Sequence, residues 1–192
     1  MHAGAGIIHS ERPSQNLAEI NGTQEVIQLW INSPAIKKMI EPKYQYTSQA
    51  NIPVFQSPDK QFSNKIIAGN YDGIKSNIDT ESELLVIWSK AVLGSYQTLS
   101  ISKTMNTMIY VIKGELHLKG YGNIEKETLV VFNNNDTDIE MKAVSDVQFL
   151  LLAGAPINEK VTQQGPYVMN TTTEIMEAMR DYQMGKMGIL IE

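Results

Sequence analysis

Met108-Ile109-Tyr110-Val111-Ile112-Lys113-Gly114-Glu115-Leu116-His117-Leu118 decides the fold class, because two short apolar runs meet at a Lys-Gly pair. Runs of this length flanked by turn residues read as strands, and a glycine between them supplies the reversal, so Lys113-Gly114 is expected to be a tight hairpin. The pattern repeats on both sides. Lys65–Ala68, Leu84–Trp88, Tyr96–Ser102, Thr128–Phe132, Asp138–Met141 and Val147–Leu152 are short and apolar, and Gly69, Gly94, Gly122 and the Asn133-Asn134-Asn135-Asp136 run punctuate them. Many short strands at such spacing predict an all-β sandwich or barrel.

Upstream, Tyr44–Asp59 is rich in Ser, Gln, Asn and Pro and reads as a linker. Glu25–Ile31 is apolar at most positions around Trp30 and is expected to be a strand. Ser33-Pro34 offers an N-cap and first-turn proline for a short helix from Ala35 to about Ile40, stopped by Pro42. Lys37, Lys38 and Lys43 near it read as a solvated face. In the tail the period becomes helical. Thr171 and Glu174 have capping-box spacing, Ile175, Ala178, Met179 and Tyr182 follow at helical intervals, and Gly185 offers a stop. Met176, Met179, Met184 and Met187 read as adaptable packing against a partner surface.

The 192 residues include no cysteine, which excludes disulfides, thiolate metal sites and cysteine nucleophiles, and is compatible with a cytoplasmic location. A net charge of −5 and the lack of a basic stripe argue against direct nucleic-acid binding. No apolar run approaches the ~18–20 residues of a membrane span, so no membrane association is expected.

His9 and Glu11 are the candidate metal ligands. On a strand, side chains two apart share a face, so both would reach one ion while Ser10 points away. Imidazole and carboxylate suit iron, manganese, zinc or copper better than calcium. Two ligands rarely hold such an ion, and the alternative is a pair satisfied by its neighbours on a barrel strand. His2 is a candidate third ligand. Its odd separation from His9 turns it away on a regular strand, unless Gly4-Ala5-Gly6 bulges.

Several blocks together resemble the pirin family of the cupin superfamily: AGAGIIHSE (3–11), QLWIN (28–32) with Pro34-Ala35, Ile67-Ala68-Gly69, YVIKGE (110–115), LLLAGAP (150–156), Asn158-Glu159, GPYVMN (165–170) and Arg180-Asp181-Tyr182-Gln183 with Gly185. The resemblance implies an all-β cupin fold, a double-stranded β-helix or jelly-roll barrel. It divides the chain into 1–44, a remnant of the first, metal-site barrel; 45–154, a complete second barrel; and 155–192, a C-terminal arm and helix.

Pirin-like proteins hold one iron-type ion through an early His-x-His pair and a later His-Ser-Glu. The later pair carries over as His9 and Glu11, and the early pair has no counterpart, because the chain is expected to begin where the first barrel is more than half complete. In the second barrel the corresponding segment is Thr104-Met105-Asn106, so a metal is not expected there. His117 reads as a solvent-facing strand residue or hydrogen-bond partner.

The implied cofactor is Fe(II), or Mn, Cu, Zn or Ni, in a site whose two-ligand count leaves occupancy open. The implied activity is a quercetin 2,3-dioxygenase-like reaction on a flavonol-like small molecule, with Glu11 as ligand and base. The alternatives are a regulatory protein acting through a protein partner, or a truncated, non-catalytic product. An open sheet edge at Ile27, Leu29 and Ile31 would favour a homo-oligomer.

Overall fold

The computed structural model describes residues 1–13, 15–20 and 22–190. The chain forms two compact units, one of residues 45–156 and one of residues 1–44 with 157–192.

The 45–156 unit contains β1 (Val54–Gln56), β2 (Phe62–Ala68), β3 (Asn70–Tyr71), β4 (Ile74–Lys75), β5 (Leu84–Ala91), β6 (Tyr96–Ser100), β7 (Asn106–Lys113), β8 (Glu115–Leu118), β9 (Gly122–Glu125), β10 (Leu129–Val131), β11 (Asp138–Ala143) and β12 (Val147–Gly154). Ten of them build a six-stranded antiparallel sheet in the order β1-β2-β5-β12-β7-β10 and a four-stranded one in the order β6-β11-β8-β9, and β3 pairs with β4 alone. Alternation explains how they pack. In β2 every second side chain is buried, and β7 and β8 follow the same rhythm. Phe62, Ile66, Ile87, Ile109, Leu116, Leu118, Phe149 and Leu151, at 0% exposure, form one core with their neighbours. Each such side chain contributes about 1.5–3 kcal/mol by leaving water. The near-continuous apolar runs of β5 and β12 have a separate reason, since Leu84, Val86 and Leu150 are buried as well as the residues that alternate with them.

The core contains one polar chain. Ser89 Oγ donates to Asn64 Oδ1 at 2.7 Å, and Asn64 Nδ2 donates to Gln97 Oε1 at 2.9 Å. These bonds join β2, β5 and β6, and they offset the desolvation of three buried side chains.

Lys113-Gly114 is a corner and not a hairpin. β7 pairs with β10 and β12 in one sheet, whereas β8 pairs with β9 and β11 in the other. Gly114 has φ +78°, and a Cβ there would lie 2.2 Å from the Asp146 carbonyl oxygen. The local signal for a turn was sound, but the strands' partners lie elsewhere in the chain. The presumed linker Tyr44–Asp59 likewise ends inside the barrel, as β1 pairs with β2. Its polar residues close the turn that follows. Ser57 Oγ donates to Asp59 and accepts from Phe62 N at 2.9 Å.

The unit of residues 1–44 and 157–192 contains α1 (Gln15–Glu19), α2 (Ala35–Lys38), the hairpin β13 (Thr162–Gln164) and β14 (Tyr167–Met169), and α3 (Thr172–Gln183). The expected strand at Glu25–Ile31 does not form. Its apolar residues remain exposed, Trp30 at 61%, because no described segment pairs with it. The sheet edge expected at Ile27, Leu29 and Ile31 is therefore absent. Helix α2 is shorter than expected, and Ser33 does not cap it; Glu159 Oε2 accepts from Ala35 N at 2.8 Å instead. Lys38, expected on a solvated face, is 7% exposed, and its Nζ donates to Asn32 Oδ1.

Helix α3 carries the expected capping box. Thr171 Oγ1 accepts from Glu174 N at 3.2 Å, and Glu174 Oε2 accepts from Thr171 N at 2.7 Å. Gly185 N donates to Tyr182 O and Lys186 N to Asp181 O, the paired bonds of a Schellman ending. Met187 packs against Gly6 in its own unit, while Met176 and Met184 are exposed. Among the described residues no helix is long and apolar enough to cross a membrane.

Candidate functional site

His9 and Glu11 lie in an extended stretch that joins no sheet, and both are exposed. Ile8 N donates to Met187 O at 3.2 Å, which ties the stretch to the residues following α3. Glu11 Oε2 accepts from Gln28 Nε2 at 3.2 Å, a bond that brings the QLWIN block to the AGAGIIHSE block.

The chain bends at Gly4-Ala5-Gly6, the condition under which His2 could turn toward His9. Gly6 N donates to Ala3 O, and Ala5 N donates to Ile40 O. The bend does not bring His2 into a metal site with His9 and Glu11. His2 exchanges backbone bonds with Lys43 at 2.8 and 3.0 Å, and its Nε2 lies 3.2 Å from Ser33 Oγ. Among the described residues no three His, Cys, Asp or Glu side chains converge as metal donors. A tightly held transition metal takes at least three protein groups even in open sites, and His9 and Glu11 are two such donors. The barrel core fares no better. Its buried polar side chains include Asn64, Ser89, Gln97 and Thr107, and amides and hydroxyls are weak ligands for such ions.

At the segment Thr104-Met105-Asn106, Asn106 is exposed and its Oδ1 accepts from Asn134 Nδ2 at 3.3 Å. His117, in β8, donates from Nδ1 to Asn123 Oδ1 at 2.6 Å across the pair with β9, the hydrogen-bonding role expected of it.

A polar cluster escaped the sequence reading. Glu159 Oε2 accepts both Ala35 N and Asn170 Nδ2, and Glu174 Oε2 accepts Asn170 N and Thr171 N. Burial lowers the Lys38 pKa, and the charges of Glu159 and Glu174 oppose that shift. The cluster joins Asn32, Ala35, Glu159 and Asn170, which come from three separate blocks of the sequence. Glu159 links the other two blocks directly, accepting from Ala35 N and from Asn170 Nδ2. Only the tertiary contact reveals it.

Residues 91–188 match the Pirin C-terminal cupin domain. The chain belongs to the pirin family. It is 37% identical over 194 residues to a pirin-like protein of Solanum lycopersicum, covering 98% of this chain and 63% of the relative. Pirin of Homo sapiens is 34% identical over 193 residues, covering 98% and 64%. A crystal structure of quercetin 2,3-dioxygenase from Acinetobacter baumannii superposes with a TM-score of 0.79 at 33% identity, covering 84% of this chain and 56% of that one. The chain thus spans somewhat under two thirds of the length of these relatives. The two facing antiparallel sheets form a cupin barrel, and α3 is the C-terminal helix of this all-β pirin-family fold.

Proposed function

We propose that this chain is a pirin-type cupin protein whose His9 and Glu11 are metal-ligating in kind but insufficient in number, so that it binds divalent transition metals weakly and does not turn over flavonols on its own. The observation that carries this reading is the count of donors: His9 and Glu11 are exposed, and no third histidine or carboxylate converges with them among the described residues. A complete set would supply Lewis-acid chemistry for a dioxygenase of the kind named for the Acinetobacter baumannii relative, and Glu11 would then serve as ligand and base. Here Glu11 accepts a hydrogen bond from Gln28.

A second reading, an interaction protein, is favoured by a separate observation. Val26, Ile27, Leu29, Trp30 and Ile31 are all at least 41% exposed in one run. Contiguous exposed apolar residues mark surfaces that other chains cover.

The test is a calorimetric titration of iron(II), manganese(II), copper(II), zinc(II) and nickel(II) into the chain, its His9→Ala and its His2→Ala variants, with oxygen-dependent quercetin loss measured in parallel. Weak binding and no turnover are expected. Sub-micromolar affinity abolished by His9→Ala, together with robust turnover, would refute the proposal, and a further loss in His2→Ala would identify a third ligand.

A further inference from the structure

A cavity of about 660 Å³ opens on the 45–156 unit where edge strand β1 of one sheet and edge strand β6 of the other both line it. Its size falls within the range of small-molecule sites. Phe55 and Tyr71 stack in its lining with ring centroids 4.7 Å apart and an interplanar angle of 19°. Tyr96 lines it from β6.

The charge at this cavity is unbalanced. Lys142 pairs across the sheet with both Tyr96 and His117, and its Nζ lies 5.0 Å from the Tyr96 ring centroid. Among the described residues no carboxylate pairs with it, whereas the neighbouring Lys119 is paired with Glu140. His117 also lines the cavity, and its Nδ1 donates to Asn123 Oδ1. The edge of β6 adds a backbone site. Ala143 N donates to Ser95 O and Ile101 N to Thr137 O, so these residues bond toward β11 and the residues alternating with them point away. Thr98 therefore presents its N–H and C=O at the open edge.

We propose that this cavity binds a small planar aromatic carboxylate. The ring lies among Phe55, Tyr71 and Tyr96, the carboxylate faces Lys142, and a ring substituent reaches the Thr98 backbone. An aromatic ring gains from aromatic walls, and a carboxylate gains most from a cation lacking an anionic partner. A peptide added to β6 as a strand fits less well. Tyr71 Oη already accepts from Ser100 N at 3.1 Å, and this interrupts the edge ladder after Thr98.

The test is titration of 2-naphthoate into the full ¹⁵N-labelled chain, with affinity read from amide shifts and calorimetry. 2-Naphthylmethanol is the uncharged control, and Lys142→Met and Tyr96→Ala are the variants. Both replaced side chains stand on the outer side of the sheet, and unchanged melting temperatures establish that the variants are folded. Saturable shifts at Tyr96, Thr98 and His117 are expected, with affinity at least about tenfold weaker for the alcohol and for each variant. No saturable shift at millimolar ligand, shifts confined to other residues, or equal affinity in Lys142→Met would overturn the proposal.

Discussion

Gly114→Ala should unfold the barrel far more readily than Gly94→Ala, although both glycines hold similar positive φ angles, +78° and +84°. The conformational penalty is common to both and amounts to about 1–2 kcal/mol for a residue bearing a Cβ. Space distinguishes them. At Gly94 nothing lies within 4 Å of the added Cβ, whereas at Gly114 the Asp146 carbonyl oxygen is 2.2 Å away and Ser145 Oγ 2.7 Å. Neither neighbour retreats cheaply. Asp146 Oδ1 accepts from Leu93 N at 2.9 Å, and Ser145 Oγ accepts from Glu115 N at 2.9 Å, so a shift strains the bonds that hold the corner between the sheets.

Crowding of this kind typically adds about 1–3 kcal/mol, which puts Gly114→Ala at about 2–5 kcal/mol and Gly94→Ala at the conformational penalty alone. Urea unfolding of the full chain measures the difference. Trp30→Phe serves as the background, so that fluorescence reports Trp88 in β5 of the barrel. Equal destabilisation by the two substitutions, within about 0.5 kcal/mol, would refute the close-approach argument for the corner.

Thr171→Ala should cost α3 about 0.5–2 kcal/mol, because Glu174 N loses its acceptor. Amide exchange across residues 175–182 reports it. The same helix end should be acid-sensitive: the Thr171 hydroxyl first, then the Thr171 and Asn170 N–H groups and the Lys38 charge, hold the Glu174 pKa below 4.5. A depressed folded-state pKa means the stabilisation is present above 4.5 and is lost as pH falls from there through the folded value. Protection that declines over this window in the wild type and stays flatter in Glu174→Gln is the expected result. Chymotrypsin should cut first at Tyr44 or Tyr46, which are 68% and 84% exposed, and leave a resistant fragment that retains β1 and ends near residue 156. Early cleavage between Leu84 and Gly154 would contradict the barrel as the stable unit.

Much of the barrel is legible because apolar runs and turn residues are local signals. The runs that form β2, β5, β6, β7, β8, β10, β11 and β12 stand out as short apolar segments bounded by turn residues, and the Thr171–Glu174 cap through side chains three apart. The failures share the opposite property. Lys113-Gly114 signals a reversal correctly, yet whether β7 and β8 pair depends on β9, β10, β11 and β12, which occupy the places beside them. Glu25–Ile31 has strand-forming residues and no described partner. A strand is a relation between two segments, and one segment's sequence cannot supply the other.

Capping shows the same contrast within a single chemistry. An oxygen must meet the first N–H groups of a helix, and Thr171 does so from inside its own capping box, where spacing alone reveals it. At α2 the oxygen belongs to Glu159, 124 residues from Ala35, and no local pattern distinguishes it from Ser33. For the candidate metal site, sequence by itself determined the donor types, imidazole at His9 and carboxylate at Glu11. Tertiary structure decided which groups converge, because metal affinity depends on several donors meeting at one point in space. It brought Gln28 to Glu11 and Ser33 to His2, and among the described residues it assembled no third donor.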